Sequence, residues 1–476
     1  MKKFLVVIFT LFVAVTGYTE NLSPLDYGLN KVKSGLECYE VLMRTHRAAV
    51  EKGCGITYEG IKQLSIEIPA KAEGIPLPEH TNFAGVTMNV TNRSERMSLF
   101  VMENHTTDLV VTKKRFERLK FGCVKGLRKG MFLLIVEDKT PWVKNRIGYS
   151  YGMTRRDVIL IEDGRAKNSP VMPYSNDVST PAFKYCKVTN TPKVIQNLTF
   201  NRTKSSTQIT CLVKIEAQNN VQIKNVTINT PEGTGFYSDE AIILRNSTNV
   251  LLEDVTINGT YSRTDKYGYG IGMNNVWNSR FVRVKAHGNW GVFGNNNVNY
   301  AVLEDCDINR FDIHCYGRDI YAKNTTFRNL YNQFSATYGV VKYENCTFDK
   351  CTPYLNADSY NAFVPVDVIF ENCSFHLTKE RNALLRFMGL TEQINPREEL
   401  STKCMPNVTI NNCKMVVDDD VEKWYVIHPG GVRYKEPLGN ISRINVSIDT
   451  DKNTKKKMVV IPDYVKTKNK LEIMVE

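Results

Sequence analysis

A short phrase of alternating apolar residues recurs through this chain and constrains its fold more than any other feature. Most copies contain Asn or Asp, then a small or apolar residue, and end on an apolar one, as in VQIKNVTI, VLLEDVTI and VKYENCTF. The residue after the Asn or Asp serves as an anchor, and successive anchors lie roughly 20 to 40 residues apart, as in strand-built repeats. One copy has Arg283 in place of the Asn or Asp. The anchors are Leu198, Val226, Val255, Val284, Cys306, Thr325, Cys346, Cys373 and Cys413.

Strand units repeated at this spacing, without helical periodicity between them, predict an all-β solenoid. One coil cannot bury its inward face alone, whereas coils stacked about 4.8 Å apart pair every backbone group with the coils above and below. The Asn or Asp before each anchor suits a corner, because both residues tolerate left-handed backbone angles. We therefore expect the anchors to form one interior column.

The first residues predict export and no part of the solenoid. Lys2 and Lys3 precede an apolar run from Phe4 to Val15. This run is shorter than the roughly 20 residues of a membrane span and is typical of a secretory signal. We expect a signal peptide over residues 1–20 and a secreted protein, located in the periplasm, outside the cell or at its surface. No membrane span is expected in the remaining chain.

An amphipathic α-helix is predicted at residues 34–52, where it would cap the N-terminal end of the solenoid. Ser34 is a suitable N-cap and Gly53 follows the last turn. The face expected to pack on the first coil carries Leu36, Tyr39, Leu42, Met43, His46 and Val50.

The predicted organisation follows the quality of the repeat. Residues 21–190 hold the cap helix and irregular early coils, although 56–190 also fit a small β domain packed on the N-terminal end. Residues 191–420 form the regular solenoid and 421–476 the C-terminal coils or cap.

Twelve cysteines in an exported protein usually indicate a disulfide framework. Four of them occupy the anchor column here, at Cys306, Cys346, Cys373 and Cys413. Coils in register hold these side chains parallel, which is poor geometry for a disulfide. We expect an interior stack of free thiols that pack as small apolar groups.

The recurring phrases, over about residues 190–420, resemble right-handed parallel β-helix proteins of the pectin-lyase-like superfamily. The resemblance implies a right-handed solenoid and a polysaccharide bound along the outer surface of one sheet. The superfamily contains lyases, hydrolases, epimerases and phage tailspikes, so the resemblance does not select one activity. The best reading is a secreted bacterial member without a matched subfamily.

Two subfamily patterns match only in part. AHGNWGVFG, with His287, resembles the second polygalacturonase motif, but the paired Asp upstream and the RIK motif downstream are missing. The pectate-lyase pattern needs an acidic calcium site, for which Asp239, Glu240 and Asp254 are acids of the right kind. Calcium is therefore a possible cofactor, and no metal ligand is assigned.

The stretch NRFDIHCYGRDIY is dense in polar side chains and is the candidate site. Aligning coils on their anchors places Ile271, Val292, Ile313 and Phe334 in one inward column. Strand alternation then turns Asp312 and His314 outward, about 7 Å apart along the strand. The outward positions before them carry glycines such as Gly270 and Gly272, which predicts a floor with room above it.

β-Elimination of a uronate would use these residues as follows. Arg318 or Lys266 neutralises the carboxylate, His314 removes the proton and Tyr316 protonates the leaving oxygen. Hydrolysis would instead need two carboxylates, which Asp312 could form with Asp265 or Asp319. The insertion NGTYSRTDKYGYG would form one wall. The expected substrate-binding residues are Arg263, Asp265, Tyr267, His287 and Trp277.

The formal net charge of +12 favours an acidic partner. We expect an anionic polysaccharide and no nucleic acid, because the basic segments lack aromatic interleaving and the chain is exported. A polysaccharide lyase is preferred. The alternatives are a glycoside hydrolase of the same fold and a non-catalytic solenoid for glycan binding or adhesion.

Overall fold

The fold is a solenoid of parallel strands, seen here in a computed structural model. The structure describes residues 21–92, 97–110, 127–143, 153–168, 182–203, 210–230, 240–259, 269–288, 292–328, 331–334, 337–356, 366–388, 407–428, 443–461 and 472–475. Within them, 28 strands form one continuous parallel network and five form a separate antiparallel sheet. The predicted parallel β-helix is confirmed. Residues 1–20, the predicted signal peptide, lie outside the described ranges.

The chain starts with six strands and the cap helix and then leaves the solenoid for an insertion. Within the described ranges, the α-helices are α1 (Gly35–Lys52) and α2 (Lys452–Lys456), and short 3-10 helices cover Pro24–Tyr27 and Leu29–Lys31. The first strands are β1 (Asn21–Leu22), β2 (Gly55–Thr57), β3 (Gln63–Ile68), β4 (Ile75–Pro76), β5 (His80–Asn92) and β6 (Met97–Glu103). The inserted strands are β7 (Thr107–Asp108), β8 (Met131–Val143), β9 (Met153–Glu162), β10 (Arg165–Ala166) and β11 (Ala182–Val188).

The solenoid resumes with β12 and continues to the last described strand. Its strands are β12 (Lys193–Arg202), β13 (Thr210–Glu216), β14 (Asn219–Asn229), β15 (Glu240–Asn258), β16 (Tyr269–Val282), β17 (Lys285–His287), β18 (Val292–Glu304), β19 (Asp307–Ile308), β20 (Phe311–Lys323), β21 (Thr326–Arg328), β22 (Tyr331–Phe334), β23 (Thr337–Glu344), β24 (Thr347–Asp349), β25 (Thr352–Asn356), β26 (Val366–Glu371), β27 (Ser374–Leu377), β28 (Ala383–Met388), β29 (Asn407–Val417), β30 (Trp424–His428), β31 (Arg443–Asp449), β32 (Met458–Val459) and β33 (Glu472–Val475).

Each regular coil presents three faces, which are defined here on the coil 240–258. Residues 240–245 pair with β16 on the first face and 250–253 pair with β16 on the second. Residues 255–258 belong to the third face, where 256–258 pair with β17. Asn249 and Asp254, both with positive φ, bend the chain between these segments. A residue keeps its face in every coil because the pairing stays largely in register.

The residue before each anchor adopts the left-handed conformation that the repeat predicts. All nine have φ between 49° and 64°: Asn197, Asn225, Asp254, Arg283, Asp305, Asn324, Asn345, Asn372 and Asn412. Side-chain amides of successive corners bond to each other, as Asn225 Nδ2 donates to Asn197 Oδ1 at 2.8 Å. Arg283, the exception in sequence, donates from Nε to Asp254 Oδ1 at 2.7 Å and so maintains the ladder.

The anchors form a buried interior column, as predicted. Every one of them is at most 3% exposed. Cys306, Cys346, Cys373 and Cys413 are buried free thiols in this column. Thr325 is accommodated because its hydroxyl donates to the Lys323 carbonyl at 3.0 Å.

Helix α1 begins and ends as predicted, with Ser34 Oγ accepting from the Glu37 amide and Gly53 in the left-handed conformation. The predicted buried face is wrong at its edges, because Leu36 is 40% and Val50 46% exposed. The packed face is rotated toward Cys38, Val41, Thr45 and Ala49, which are buried with Tyr39, Leu42, Met43 and His46. No helix in the described ranges is both long and apolar enough to cross a membrane.

The insertion packs on the corner region between the first and second faces. Leu133, Leu160 and Val188 of its antiparallel sheet contact Ala217 and the partly buried Trp277 of the solenoid. Strands β5 and β6 pair in parallel with β12 and β13, and strands β7 to β11 form the antiparallel sheet of the insertion.

Candidate functional site

Asp312, predicted to face solvent, is fully buried. Arg310 and Asp312 form an ion pair and are 1% and 0% exposed. Tyr269 Oη donates to Asp312 Oδ2 at 3.4 Å, and the Arg310 guanidinium lies 6.0 Å from the Tyr269 ring centroid. A carboxylate tolerates burial when a cation and a hydrogen-bond donor meet it. The prediction that the Asp312 side chain faces solvent is therefore wrong.

The predicted column across this region is also wrong in one step. Val292 pairs with Phe311, two residues before Ile313, whereas Ile271–Val292 and Ile313–Phe334 pair as expected. A shift of two residues keeps the inward and outward sides but changes which outward residues are neighbours. Asp312 thus follows Phe293 in the outward column of the first face.

The predicted glycine floor is partly filled. A Cβ atom at Gly272 would collide with the side chain of Glu240, which pairs through its backbone with Tyr269. The Glu240 side chain therefore occupies space expected to be open. Buried Tyr269, Arg310 and Asp312 lie in the adjoining coils of the same face.

The remaining predicted residues are only partly described. Arg263, Asp265, Lys266 and Tyr267 lie outside the described ranges, as do the side chains of His314 and Tyr316. Arg318 is 38% exposed in its side chain, and its Nε lies 3.4 Å from Asp319 Oδ2. Asp319 has φ 53° and accepts from the Val340 amide at 3.1 Å, so it shapes a corner.

His287 and Trp277 are placed away from the first face. His287 is on the third face, where its Nε2 lies 3.7 Å from Asp307 Oδ2. Trp277 packs against the insertion, between the corner residues Asn275 and Asn278. Neither residue is brought next to Asp312.

Asp239, one of the three acids considered for calcium, lies outside the described ranges, and the other two are Asp254 and Glu240. Asp254 sits at a corner, where both of its carboxylate oxygens accept from Arg283 at 2.7 and 2.8 Å. Glu240 covers Gly272 on the first face. Across the described ranges, no group of three or more His, Cys, Asp or Glu side chains is arranged to hold a metal ion.

A second polar group, which sequence reasoning missed, lies further along the same outward column. Tyr354 pairs with Arg386, and Arg386 pairs with His428, so three successive coils align these side chains. We call them, with the adjacent Tyr425, the aromatic–arginine column. Arg386 Nη1 donates to Tyr354 Oη at 3.4 Å, and its guanidinium lies 5.7 Å from the Tyr354 ring centroid. The rings of Tyr425 and His428 meet edge-on at 4.6 Å.

The charge of Arg386 is not matched by a carboxylate within the described ranges. Its Nε is buried and has no hydrogen-bond partner there. Burial and then the charge of Arg386 lower the pKa of His428 to about 4, so His428 is neutral at neutral pH. The column therefore offers one cation, a neutral imidazole and two aromatic rings.

Sequence reasoning missed this column because its three strands are separated by segments of unequal length. TPYLN, ALLRFM and WYVIH are short, and only their pairing brings Tyr354, Arg386 and His428 together. The sequence did carry one usable signal. Leu355 pairs with Phe334, which pairs with Ile313 of the predicted inward column. Tyr354, next to Leu355, is therefore expected to face outward.

Neither a protein-family model nor a curated protein sequence matches the chain. The tailspike protein gp49 from Pseudomonas phage LKA1 is similar in structure, with a TM-score of 0.55 and 11% identity over 96% of this chain and 78% of that one. The gp54 tailspike of Acinetobacter baumannii bacteriophage AP22 has a TM-score of 0.47 and 10% identity over 95% of this chain and 76% of that one. An exopolygalacturonase from Thermotoga maritima has a TM-score of 0.36 and 11% identity over 96% of this chain and 92% of that one. The fold is a right-handed parallel β-helix.

Proposed function

We propose that this protein is exported and binds an acidic polysaccharide along the outward column of its first face. The observation that carries the proposal is Arg386, a half-buried guanidinium with no carboxylate partner in the described ranges. A guanidinium in a partly dehydrated position binds a sugar carboxylate or sulfate strongly. Tyr354 and Tyr425 add ring surfaces of the kind that pack on apolar sugar faces.

We further propose that the bound chain is cleaved by β-elimination, with roles different from those predicted at residues 312–318. Arg386 would neutralise the uronate carboxylate, which makes the adjacent carbon acidic. His428, neutral because of its lowered pKa, would accept the proton. The Tyr354 hydroxyl, held by Arg386, is the proton donor beside it.

Binding and cleavage are tested separately. Binding is measured by affinity electrophoresis against uronate, sulfated and neutral polysaccharides, for the wild-type chain and for Arg386→Gln. We expect retardation by acidic chains only, weakened at least tenfold by Arg386→Gln and reduced by salt. Arg280→Gln is the matched control, since Arg280 is a second-face arginine already paired with Glu304 at 3.0 Å.

Cleavage is followed by the ultraviolet absorbance of unsaturated uronates, with and without calcium. We expect a rising signal that His428→Asn abolishes, with an acidic limb of the rate near pH 4 because that is the pKa of His428. Retention of binding with no absorbance and no new reducing ends would leave a glycan-binding solenoid. New reducing ends without absorbance would indicate a hydrolase.

A further inference from the structure

Tyr300 stands at a corner where the neighbouring coils carry asparagine or aspartate. The corner joins the first and second faces, and strand register aligns Tyr300 with Asn220, Asn249, Asn278 and Asp319. All five residues have left-handed backbone angles, with φ between 53° and 62°. Asparagine and aspartate tolerate this conformation, whereas a bulky side chain there is strained. Strained residues cluster at functional sites, so the angle indicates a role for Tyr300 beyond turning the chain.

The Tyr300 side chain also interrupts the row of amides at this corner. Asn278 Nδ2 donates to Asn249 Oδ1 at 2.5 Å, and a tyrosine has no amide to continue that row. Tyr300 is instead 44% exposed, and it is the one aromatic residue among the exposed large apolar side chains of the described ranges. The ring is therefore neither packed in the core nor used to build the corner.

A second tyrosine widens this exposed ring. The ring centroids of Tyr300 and Tyr321 lie 5.9 Å apart, with an interplanar angle of 58°. Tyr321 is half-buried and follows the half-buried Val302 in an outward column of the second face. We call Tyr300, Val302 and Tyr321 the tyrosine platform. Burial, and then the Asp319 carboxylate, raise the pKa of Tyr321, so its hydroxyl keeps its proton and can donate a hydrogen bond.

The charged side chains beside the tyrosine platform are paired. Arg280, which precedes Val302 in the column, has its Nη2 3.0 Å from Glu304 Oε2. Lys342, which follows Tyr321, has its Nζ 2.6 Å from Glu371 Oε2. Because these cations already have carboxylate partners, they do not favour an anionic ligand.

The same ion pairs limit the size of the ligand. A protein docked over the tyrosine platform would bury them, and the desolvation of an ion pair can exceed its Coulombic gain. A single sugar ring covers the tyrosines and leaves the ion pairs in water. Its apolar face packs on an aromatic ring, and its hydroxyls exchange hydrogen bonds with groups such as the Tyr321 hydroxyl.

We propose that the tyrosine platform binds one ring of a neutral polysaccharide, with the Tyr300 ring against its apolar face and the Tyr321 hydroxyl bonded to its edge. The platform belongs to β18 and β20, whereas the aromatic–arginine column belongs to β25, β28 and β30. It is therefore a second site, and it does not depend on the acidic ligand proposed for Arg386.

The test is saturation-transfer NMR on the purified chain with cellohexaose, mannohexaose and chitohexaose, and with hexagalacturonate as the acidic comparison. We expect transfer to at least one neutral oligosaccharide. Its affinity should fall about tenfold in Tyr300→Asn and in Tyr321→Ala, because each removes a ring contact. Val416→Asn is the control and should bind as wild type, since Val416 is an exposed apolar residue of the third face.

Urea unfolding separates a binding role of Tyr300 from a structural one. Asparagine suits the left-handed angle and would extend the amide row from Asn278. Tyr300→Asn should therefore keep or raise the urea midpoint while it weakens binding. Loss of binding with a lower midpoint would show that Tyr300 holds the corner and not the sugar.

Two further results would overturn the proposal. One is the absence of transfer to every neutral oligosaccharide. The other is unchanged affinity in either platform variant. Failure of this site is distinct from failure of the acidic site, because Arg386→Gln should weaken only hexagalacturonate and Tyr300→Asn only the neutral chain.

Discussion

His376 lies between two carboxylates from neighbouring coils on the third face. Its Nδ1 is 3.0 Å from Asp349 Oδ1 and its Nε2 is 2.9 Å from Asp418 Oδ1. Ionised carboxylates only accept hydrogen bonds, so both ring nitrogens must carry a proton. The hydrogen bond to Asp418, and then that to Asp349, raise the pKa of His376. Arg328, also bound to Asp349, extends this row of alternating charges toward Asp307.

We expect His376 to stabilise the protein more at low pH than at high pH. Its folded pKa lies above the unfolded value of about 6.5, so the contribution is complete below about pH 6.5 and is lost as pH rises through the folded pKa. Urea unfolding of wild type and His376→Gln at about pH 5.5 and about pH 8.5 measures this. The loss of unfolding free energy caused by His376→Gln should be larger at the lower pH. It should stay below about 1 kcal/mol, as for other surface pairs. An equal difference at both pH values would contradict it.

His46, under the N-terminal cap, has the opposite behaviour. Its Nδ1 is 3.0 Å from the Pro76 carbonyl and its Nε2 is 2.7 Å from Tyr58 Oη. The carbonyl accepts only, so Nδ1 carries the proton and Nε2 accepts from the tyrosine. Burial lowers the pKa of His46 to about 3.

We expect His46 to make the protein less stable as pH falls. Between about pH 6.5, its unfolded pKa, and pH 3 the unfolded chain binds one more proton than the folded chain at this site. The free energy of unfolding should therefore drop by up to about 1.4 kcal/mol per pH unit from His46 alone. His46→Gln should have a lower stability at neutral pH but a shallower slope in this window. An unchanged slope would show that His46 is protonated in the fold.

At the scale of the coil, the corner residues decide where the chain turns. Asn372 has φ 53°, and its Oδ1 accepts from Asn412 Nδ2 at 2.7 Å. Left-handed angles cost an ordinary residue roughly 1–2 kcal/mol, whereas Gly adopts them without that cost. Arg283 takes up the same angle, so conformation and not amide chemistry is the common requirement.

We expect Asn372→Ala to destabilise the protein by about 1 kcal/mol more than Asn372→Gly. Both variants lose the bond to Asn412, so their difference isolates the backbone cost. Urea midpoints of the two variants give the comparison. Equal losses would mean that the ladder bond, and not the left-handed angle, accounts for the role of Asn372.

The anchor column should keep its thiols chemically inert in the native protein. Burial raises the pKa of Cys306 to about 12, and the pKa of Cys373 is raised to about 12 by its contact with Cys346 and by burial. A thiol that is neither exposed nor ionised reacts slowly. We expect N-ethylmaleimide to label Cys306, Cys346, Cys373 and Cys413 only in denaturant, as read by peptide mass mapping. Rapid native labelling of any of the four would contradict the buried column.

On the scale of the whole molecule, the insertion enters at one corner of an otherwise continuous solenoid. Glu103 pairs with Glu216 and Lys193 pairs with Val221. Only the four residues 217–220 join Glu216 to Val221 in the next coil. The same corner therefore closes with a short connection, and residues 104–192 are an addition to it.

We expect the solenoid to fold when residues 104–192 are replaced by the four residues of the next corner, AQNN. Each coil pairs with its neighbours through strands outside the insertion. Trp277 loses its cover from the insertion, so its fluorescence should shift to longer wavelength. The same deletion with Trp277→Gln is the control for that signal. Loss of the β circular dichroism in both chains would mean that the insertion is required for folding.

The sequence alone determined the solenoid, its corners and its interior column. Alternating apolar residues and left-handed corners are local preferences, so they can be read one coil at a time. The cap helix was equally readable, because Ser34 and Gly53 act within one turn of its ends. The sequence also indicates which side chains face outward, but it does not indicate which of them are neighbours.

Only the tertiary structure decided which polar side chains meet. Asp312 is buried because Arg310 and Tyr269 approach it, and Tyr269 comes from another coil. Tyr354, Arg386 and His428 align through strand register across segments of unequal length. Register depends on the packing of whole coils against one another, which no short stretch of sequence encodes. A shift of two residues preserves every local pattern and still exchanges the neighbours of each outward side chain.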